Sequence, residues 1–225
     1  MISKLFIAAM TITLAACFHG KLPPQEFYRL RTPVLPESLA TLDHDGGSGG
    51  RLVGGIAIVP YVAPGLYGDR GIVFRIGDNE YGAYPNREWA VPVPTMLGLI
   101  TEDVFGAHPL TTEGAVFDPP SPNSYPYVWR GLVRELEEVD RGRRVYASVR
   151  LDARIVRTKD DSIVWSGSAR RERPVPSGTM PAIIETLSRL SAEVILQLQE
   201  SARVSLAESA ASAVRQTPRR SSARP

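Results

Sequence analysis

The chain is poor in the residues that build most active centres. It has one cysteine, Cys17, in 225 residues, which excludes an internal disulfide and any cluster of thiolate metal ligands. It has three histidines, His19, His44 and His108. None stands four residues from another, so the His-Glu-x-x-His helix of metalloproteases is absent, as is the Gly-x-Ser-x-Gly elbow of serine hydrolases. Charge of one sign is also lacking: 26 basic against 24 acidic residues does not make the basic face that a nucleic-acid binder needs. The longest uncharged apolar run, residues 5–16, is 12 residues long, short of the roughly 20 that span a bilayer as a helix. Carboxylate pairs occur at Glu137-Glu138 and Asp160-Asp161, but neighbours on a strand point to opposite faces and do not converge on one substrate. Nothing here joins a nucleophile, a base and an orienting group. The chain reads as not an enzyme, with no metal and no cofactor.

What is present begins at the N-terminus. Lys4 precedes the apolar run, which ends in Leu14-Ala15-Ala16-Cys17. A basic start, a short apolar stretch and small residues before a cleavage point describe a secretory signal. The last four residues resemble the lipobox of bacterial lipoproteins. That resemblance implies removal of residues 1–16 and a covalent diacylglycerol and N-acyl chain on Cys17, which becomes the membrane anchor. One acyl chain holds a protein at a bilayer marginally, whereas two or more hold it firmly. The residue after the cysteine is Phe18 rather than aspartate, which by the same resemblance favours the periplasmic face of the outer membrane. Outside the cytoplasm, energy for any transport must come from a partner.

The expected organisation is a signal peptide (1–16), a lipidated tether (17–26) containing Pro23 and Pro24, one domain (27–205) and a disordered Arg/Ser/Pro tail (206–225). With 43% hydrophobic and 22% charged residues, the chain can bury one core of ordinary size. Phe27 to Arg31 alternates as a first strand. Residues 43–50 form a glycine-rich loop that lacks the Gly-Lys-Ser/Thr ending of a phosphate cradle. Leu52 to Pro60 and Gly71 to Ile76 read as apolar strands, and Asp78-Asn79 turns the second into a hairpin with Glu80 to Tyr84. Met96, Leu97, Ile100 and Val104 share one face of a short helix led by Pro92 and Pro94 and closed by Gly106. Residues 107–127 hold five prolines and read as a loop with one short strand.

From Gly131 on, three strands joined by tight turns form an antiparallel meander. Its middle strand alternates Val145, Ala147, Val149, Leu151, Ala153 and Ile155 with polar residues, the pattern of a sheet with one buried face. Thr179 to about Arg203 is a long helix with Pro181 in its first turn, where the missing amide costs nothing. Its stripe of Ile183, Leu187, Leu190, Val194 and Leu198 faces the meander. The fold class is α+β: a mixed, largely antiparallel sheet with one short and one long helix packed on it.

Ile56-Ala57-Ile58-Val59-Pro60, Ile72-Val73-Phe74-Arg75, Tyr81, Tyr84, Trp89-Ala90 and Pro94-Thr95-Met96-Leu97, taken in order over about residues 27–200, resemble the auxiliary lipoproteins of ABC-type transport systems. This is the family of paraquat-inducible protein C lipoproteins. Glu88 separates Arg87 from Trp89, and Val93 separates the prolines, where the family pattern is tighter. The resemblance implies a non-catalytic envelope component of an intermembrane lipid or solvent-resistance transport system. Its partners would be MCE-domain proteins with an ABC permease and ATPase, with phospholipid as possible cargo and a homo-oligomer as possible assembly. Arg75, Tyr81, Tyr84, Arg87 and Trp89 are then the candidate partner-docking residues, and Arg75, if buried, needs an acidic or carbonyl partner. Two other classes stay open: an envelope assembly lipoprotein that moves no lipid, and a periplasmic small-ligand carrier.

Overall fold

A computed structural model describes residues 23–33 and 51–216. The expected signal peptide, Cys17 and the expected glycine-rich loop lie outside the described residues. Ten elements follow one another: β1 (Glu26–Tyr28), β2 (Ile56–Ile58), β3 (Gly71–Ile76), β4 (Glu80–Trp89), α1 (Val93–Ala107), β5 (Ala115–Phe117), β6 (Tyr127–Asp140), β7 (Val145–Arg157), β8 (Ile163–Pro174) and α2 (Met180–Gln216). The eight strands form one mixed sheet, and both helices pack on one of its faces, as the α+β expectation has it.

The sheet is organised around β6, 14 residues long. Along one side it pairs antiparallel with β7, which pairs with β8. Along the other it is shared by two short parallel neighbours. β2 lies beside Tyr127 to Trp129, and β3 beside Glu138 to Asp140. β5 extends the sheet beyond β2, and β4 beyond β3. β1 closes the outer edge of β4 in parallel, Glu26 to Arg87 and Tyr28 to Trp89. The sheet thus has a near pole, where the β3–β4 and β6–β7 turns lie, and a far pole at the β7–β8 turn.

The alternation in β7 puts Ala147, Val149, Leu151, Ala153 and Ile155 under the helices, all buried. Ile183, Leu187, Leu190, Val194 and Leu198 answer from α2, each 1% exposed or less. Between the layers Trp129 meets Phe105 edge-on at 5.1 Å and stacks on Trp165 at 5.5 Å. The Trp129 indole donates to the Tyr61 hydroxyl at 3.1 Å, and that hydroxyl lies 2.8 Å from Thr101 Oγ1. Burial pushes the Tyr61 hydroxyl up to about 12. Gly131 is required here, because a Cβ at that position would overlap the Tyr61 ring.

Four expectations are corrected. β1 has three residues rather than five, because Leu30 turns into the core (3% exposed) and its N–H meets Met96 Sδ at 3.2 Å. Only Ile56–Ile58 of the 52–60 run is strand. β4 continues past Tyr84 to Trp89, gaining a second partner in β1. α2 runs on through Gln216, so residues 206–216 of the expected disordered tail are helical. Alanine, the best helix former, dominates there.

Candidate partner-docking surface

The five candidate residues fall on or beside the β3–β4 hairpin, and the structure sorts them into three places.

Arg75 and Tyr81 are register partners, on the sheet face away from the helices. Arg75 is 7% exposed. Its Nε donates to Glu137 Oε1 at 2.7 Å and its Nη1 to the Gly77 carbonyl at 2.8 Å, the acidic and carbonyl partners that burial demands. Glu137, with no exposed surface, also accepts the Tyr67 hydroxyl on its other oxygen. The hydrogen bond to Glu137 raises the Arg75 pKa further. Burial, then the bond to Glu137, pushes the Tyr67 hydroxyl above its ordinary range. Tyr81, 49% exposed, covers the guanidinium at 5.8 Å from ring centre to Cζ. The same face continues as a ladder across the meander. Glu135 accepts Ser148 at 2.9 Å and Arg170 at 2.8 Å, and Glu172 accepts Arg141 at 2.8 Å.

Tyr84 turns to the opposite face and donates to Glu138 Oε2 at 2.8 Å. Glu137 and Glu138 therefore do point apart, as strand geometry requires. Burial raises the Glu138 carboxyl above its usual range, with the Tyr84 bond opposing it. Burial, then the bond to Glu138, raises the Tyr84 hydroxyl to about 12. Arg87 lies over the Tyr84 ring at 4.9 Å and reaches Glu26 of β1 at 3.3 Å. Glu26 also accepts Tyr28, and that bond leads in holding its carboxyl below the usual range. Pro23, Pro24, Glu26, Tyr84, Pro85, Asn86 and Arg87 line one open cleft of about 330 Å³.

Trp89 is 2% exposed. It belongs to the hydrophobic core.

Tyr84 and Arg87 share this cleft with the chain's own Pro23 and Pro24, which β1 brings to the edge of β4. The acceptors Glu137 and Glu138 and the donor Tyr67 were missed. The signal for the first two was an acidic pair inside an apolar run, Leu136-Glu137-Glu138-Val139. Glu137, Glu138, Tyr67, Tyr84 and Arg75 direct hydrogen bonds at one another, which ties the β3–β4 hairpin and the Gly65–Gly68 turn to β6. Among the described residues no group of three or more His, Cys, Asp or Glu is placed to hold a metal ion, and no helix is long and apolar enough to cross a membrane.

No family model and no curated protein matches the chain. Solved structures do. A Xanthomonas campestris protein of the DUF330 family superposes with a TM-score of 0.65 at 17% identity, covering 82% of this chain and 99% of that one. A second, uncharacterised protein superposes with a TM-score of 0.58 at 10% identity, over 80% and 99%. PelC of Paraburkholderia phytofirmans, solved as a dodecamer, gives a TM-score of 0.47 at 16% identity, over 70% and 95%. At these identities the first two show a shared fold.

Proposed function

We propose that this protein is a non-catalytic envelope lipoprotein, held by acyl chains on Cys17, that serves as an auxiliary component of an MCE/ABC-type intermembrane lipid or solvent-resistance transport system. The observation that carries the reading is the link between lipobox and domain. Six residues after Cys17 the chain reaches Pro23, and within three more it has joined the sheet as β1 on the edge of β4. A segment of that length spans at most about 20 Å, so the anchor holds the folded body close to the bilayer surface, near pole first. The ion-paired, hydrogen-bonded surfaces described above support a docking role without catalysis. The domain stands on the periplasmic face of the outer membrane, offers its body to MCE-domain proteins, and takes its driving energy from the permease and ATPase.

Two linked measurements test this. Feeding cells an alkyne-tagged fatty acid labels the native protein, and Cys17→Ser abolishes the label and releases the protein from the membrane fraction. Cells lacking the protein become more sensitive to detergents and organic solvents, and the Cys17→Ser form fails to restore resistance. A labelled Cys17→Ser chain, or full rescue by an unanchored one, contradicts the proposal.

A further inference from the structure

The outer edge of the sheet, where β1 lies beside β4, carries a second kind of surface. Along β1 and the three residues after it, side chains alternate between inward and outward. Tyr28 packs against the core and Leu30 is 3% exposed, whereas Phe27, Arg29 and Arg31 face out. Phe27 is 58% exposed, the most exposed aromatic ring among the described residues. Its register partner is Glu88, next to the buried Trp89, so the ring stands on the face away from the helices. Arg70 reaches the same edge. Its carbonyl accepts the Trp89 N–H at 2.7 Å, and its side chain is exposed.

The arginines here are uncommitted. Among the described residues the side chains of Arg29, Arg31 and Arg70 make no hydrogen bond or ion pair. The acids nearby are Glu26, spent on Arg87 and Tyr28, together with Glu88 and Asp69. Pro23, Pro24 and Pro85, all exposed, form an apolar rim beside Phe27. Having no N–H, they bring no donor that would need water. β1 itself pairs with β4 alone among the described strands, so its outer N–H and C=O groups face whatever covers the edge. An exposed aromatic, a proline rim and unpaired guanidiniums together describe a surface that is apolar at its centre and phosphate-binding around it.

We propose that Phe27, with Arg29, Arg31 and Arg70 around it, forms a membrane-contact edge that lies on the bilayer holding the protein's own acyl chains. The choice of that bilayer rests on the reading of Cys17 as the lipid attachment. Chain length favours it over a protein partner: Phe27 is ten residues from Cys17, no more than about 35 Å even at full stretch. Held that close, the Phe27 ring enters the boundary between headgroups and acyl chains, where amphipathic surfaces sit about 5–10 Å deep. The guanidiniums pair with headgroup phosphates in a fork geometry. The outer N–H groups of β1 find acceptors at the same depth, which hydrocarbon would not supply. The near-pole corner on the β1 side is thereby turned to the bilayer. β8 and the far pole, across the sheet, face away from it.

The test uses tryptophan as a depth reporter. Trp89, Trp129 and Trp165 are buried, at 2%, 0% and 6% exposed, so the added indole of Phe27→Trp is read against a protected background. The full chain is purified in detergent and its acylation confirmed by intact mass. It is then reconstituted in phosphatidylcholine vesicles with plain or brominated acyl chains, and its flotation is recorded. Ile163→Trp, at the far pole and 56% exposed in the parent, is the control. The expected result is a blue shift of the Phe27→Trp emission on reconstitution. Brominated chains should quench it at least about twofold more than Ile163→Trp, as for a ring sunk into the headgroup boundary. Adding Arg29→Gln and Arg70→Gln should reduce that quenching with flotation unchanged. An acylated, floating chain whose Phe27→Trp is quenched no more than Ile163→Trp overturns the contact edge and leaves the anchor standing, the behaviour of a ring that faces a protein. Quenching untouched by the arginine substitutions overturns the phosphate pairing. A chain that is neither acylated nor floats overturns the anchor reading and the contact edge with it.

Discussion

Replacing Arg75 by alanine strands a carboxylate. Glu137 has no exposed side-chain surface, and Arg75 only 9%. The carboxylate keeps two strong partners, the Arg75 Nε at 2.7 Å on one oxygen and the Tyr67 hydroxyl on the other. Removing one member of a buried pair costs about 3–5 kcal/mol, because the survivor stays buried without compensation. Arg75 lies at the rim, so water can enter the space it leaves, and the lower end, about 3 kcal/mol, is the expected loss. At a urea slope of about 2 kcal/mol/M that loss moves the unfolding midpoint down by roughly 1.5 M. The assay is urea unfolding followed by tryptophan fluorescence, run as a cycle with Glu137→Ala and the double variant. The double variant should lose less than the sum of the two, because neither buried charge then remains. Arg170→Ala is the control. It removes a pair with Glu135 of similar length, 2.8 Å, but with the guanidinium side chain 46% exposed, and it should cost under about 1 kcal/mol. If Arg75→Ala and Arg170→Ala cost the same, or the cycle shows no coupling, the claim that this buried pair fixes the hairpin to β6 is wrong.

Glu138→Gln should behave in the opposite sense. The folded carboxyl is raised from its usual 4.5, so the folded state holds its proton more tightly than the unfolded chain and stability falls as pH rises through that window. Glutamine still accepts the Tyr84 hydroxyl without the buried charge, so the variant should be at least as stable as the parent at pH 7, and the difference should vanish near pH 4. Urea midpoints at the two pH values check this. Gly131→Ala should cost about 1–3 kcal/mol through overlap with the Tyr61 ring, read as a lowered thermal midpoint. The same change at Gly106, where a Cβ meets nothing within 4 Å, should be far milder.

Local pattern was legible and long-range pairing was not. Gly71–Ile76 was readable to the residue because glycine and the Asp78-Asn79 turn bound an apolar run. The alternation of β7 and the stripe of α2 each named their buried faces. Parallel pairing leaves no such trace. Nothing near Glu26 announces that it lies beside Arg87, 61 residues away, or that β2 separates β5 from β6. The same holds within the candidate site. Arg75 signalled its need for a partner, but no local pattern names Glu137 as that partner, or Tyr67, on the turn of Gly65–Gly68, as the second donor to it. The continuation of α2 was hidden by composition, since alanine and serine read as tail when no apolar stripe accompanies them.

The measurement that tests the account most directly is gentle detergent purification of the tagged native protein, with mass spectrometry of the proteins and phospholipids that accompany it. The account predicts an MCE-domain protein with its permease and ATPase, together with bound phospholipid. Recovery of other envelope proteins without lipid would contradict it and leave the shared fold as the whole of the likeness.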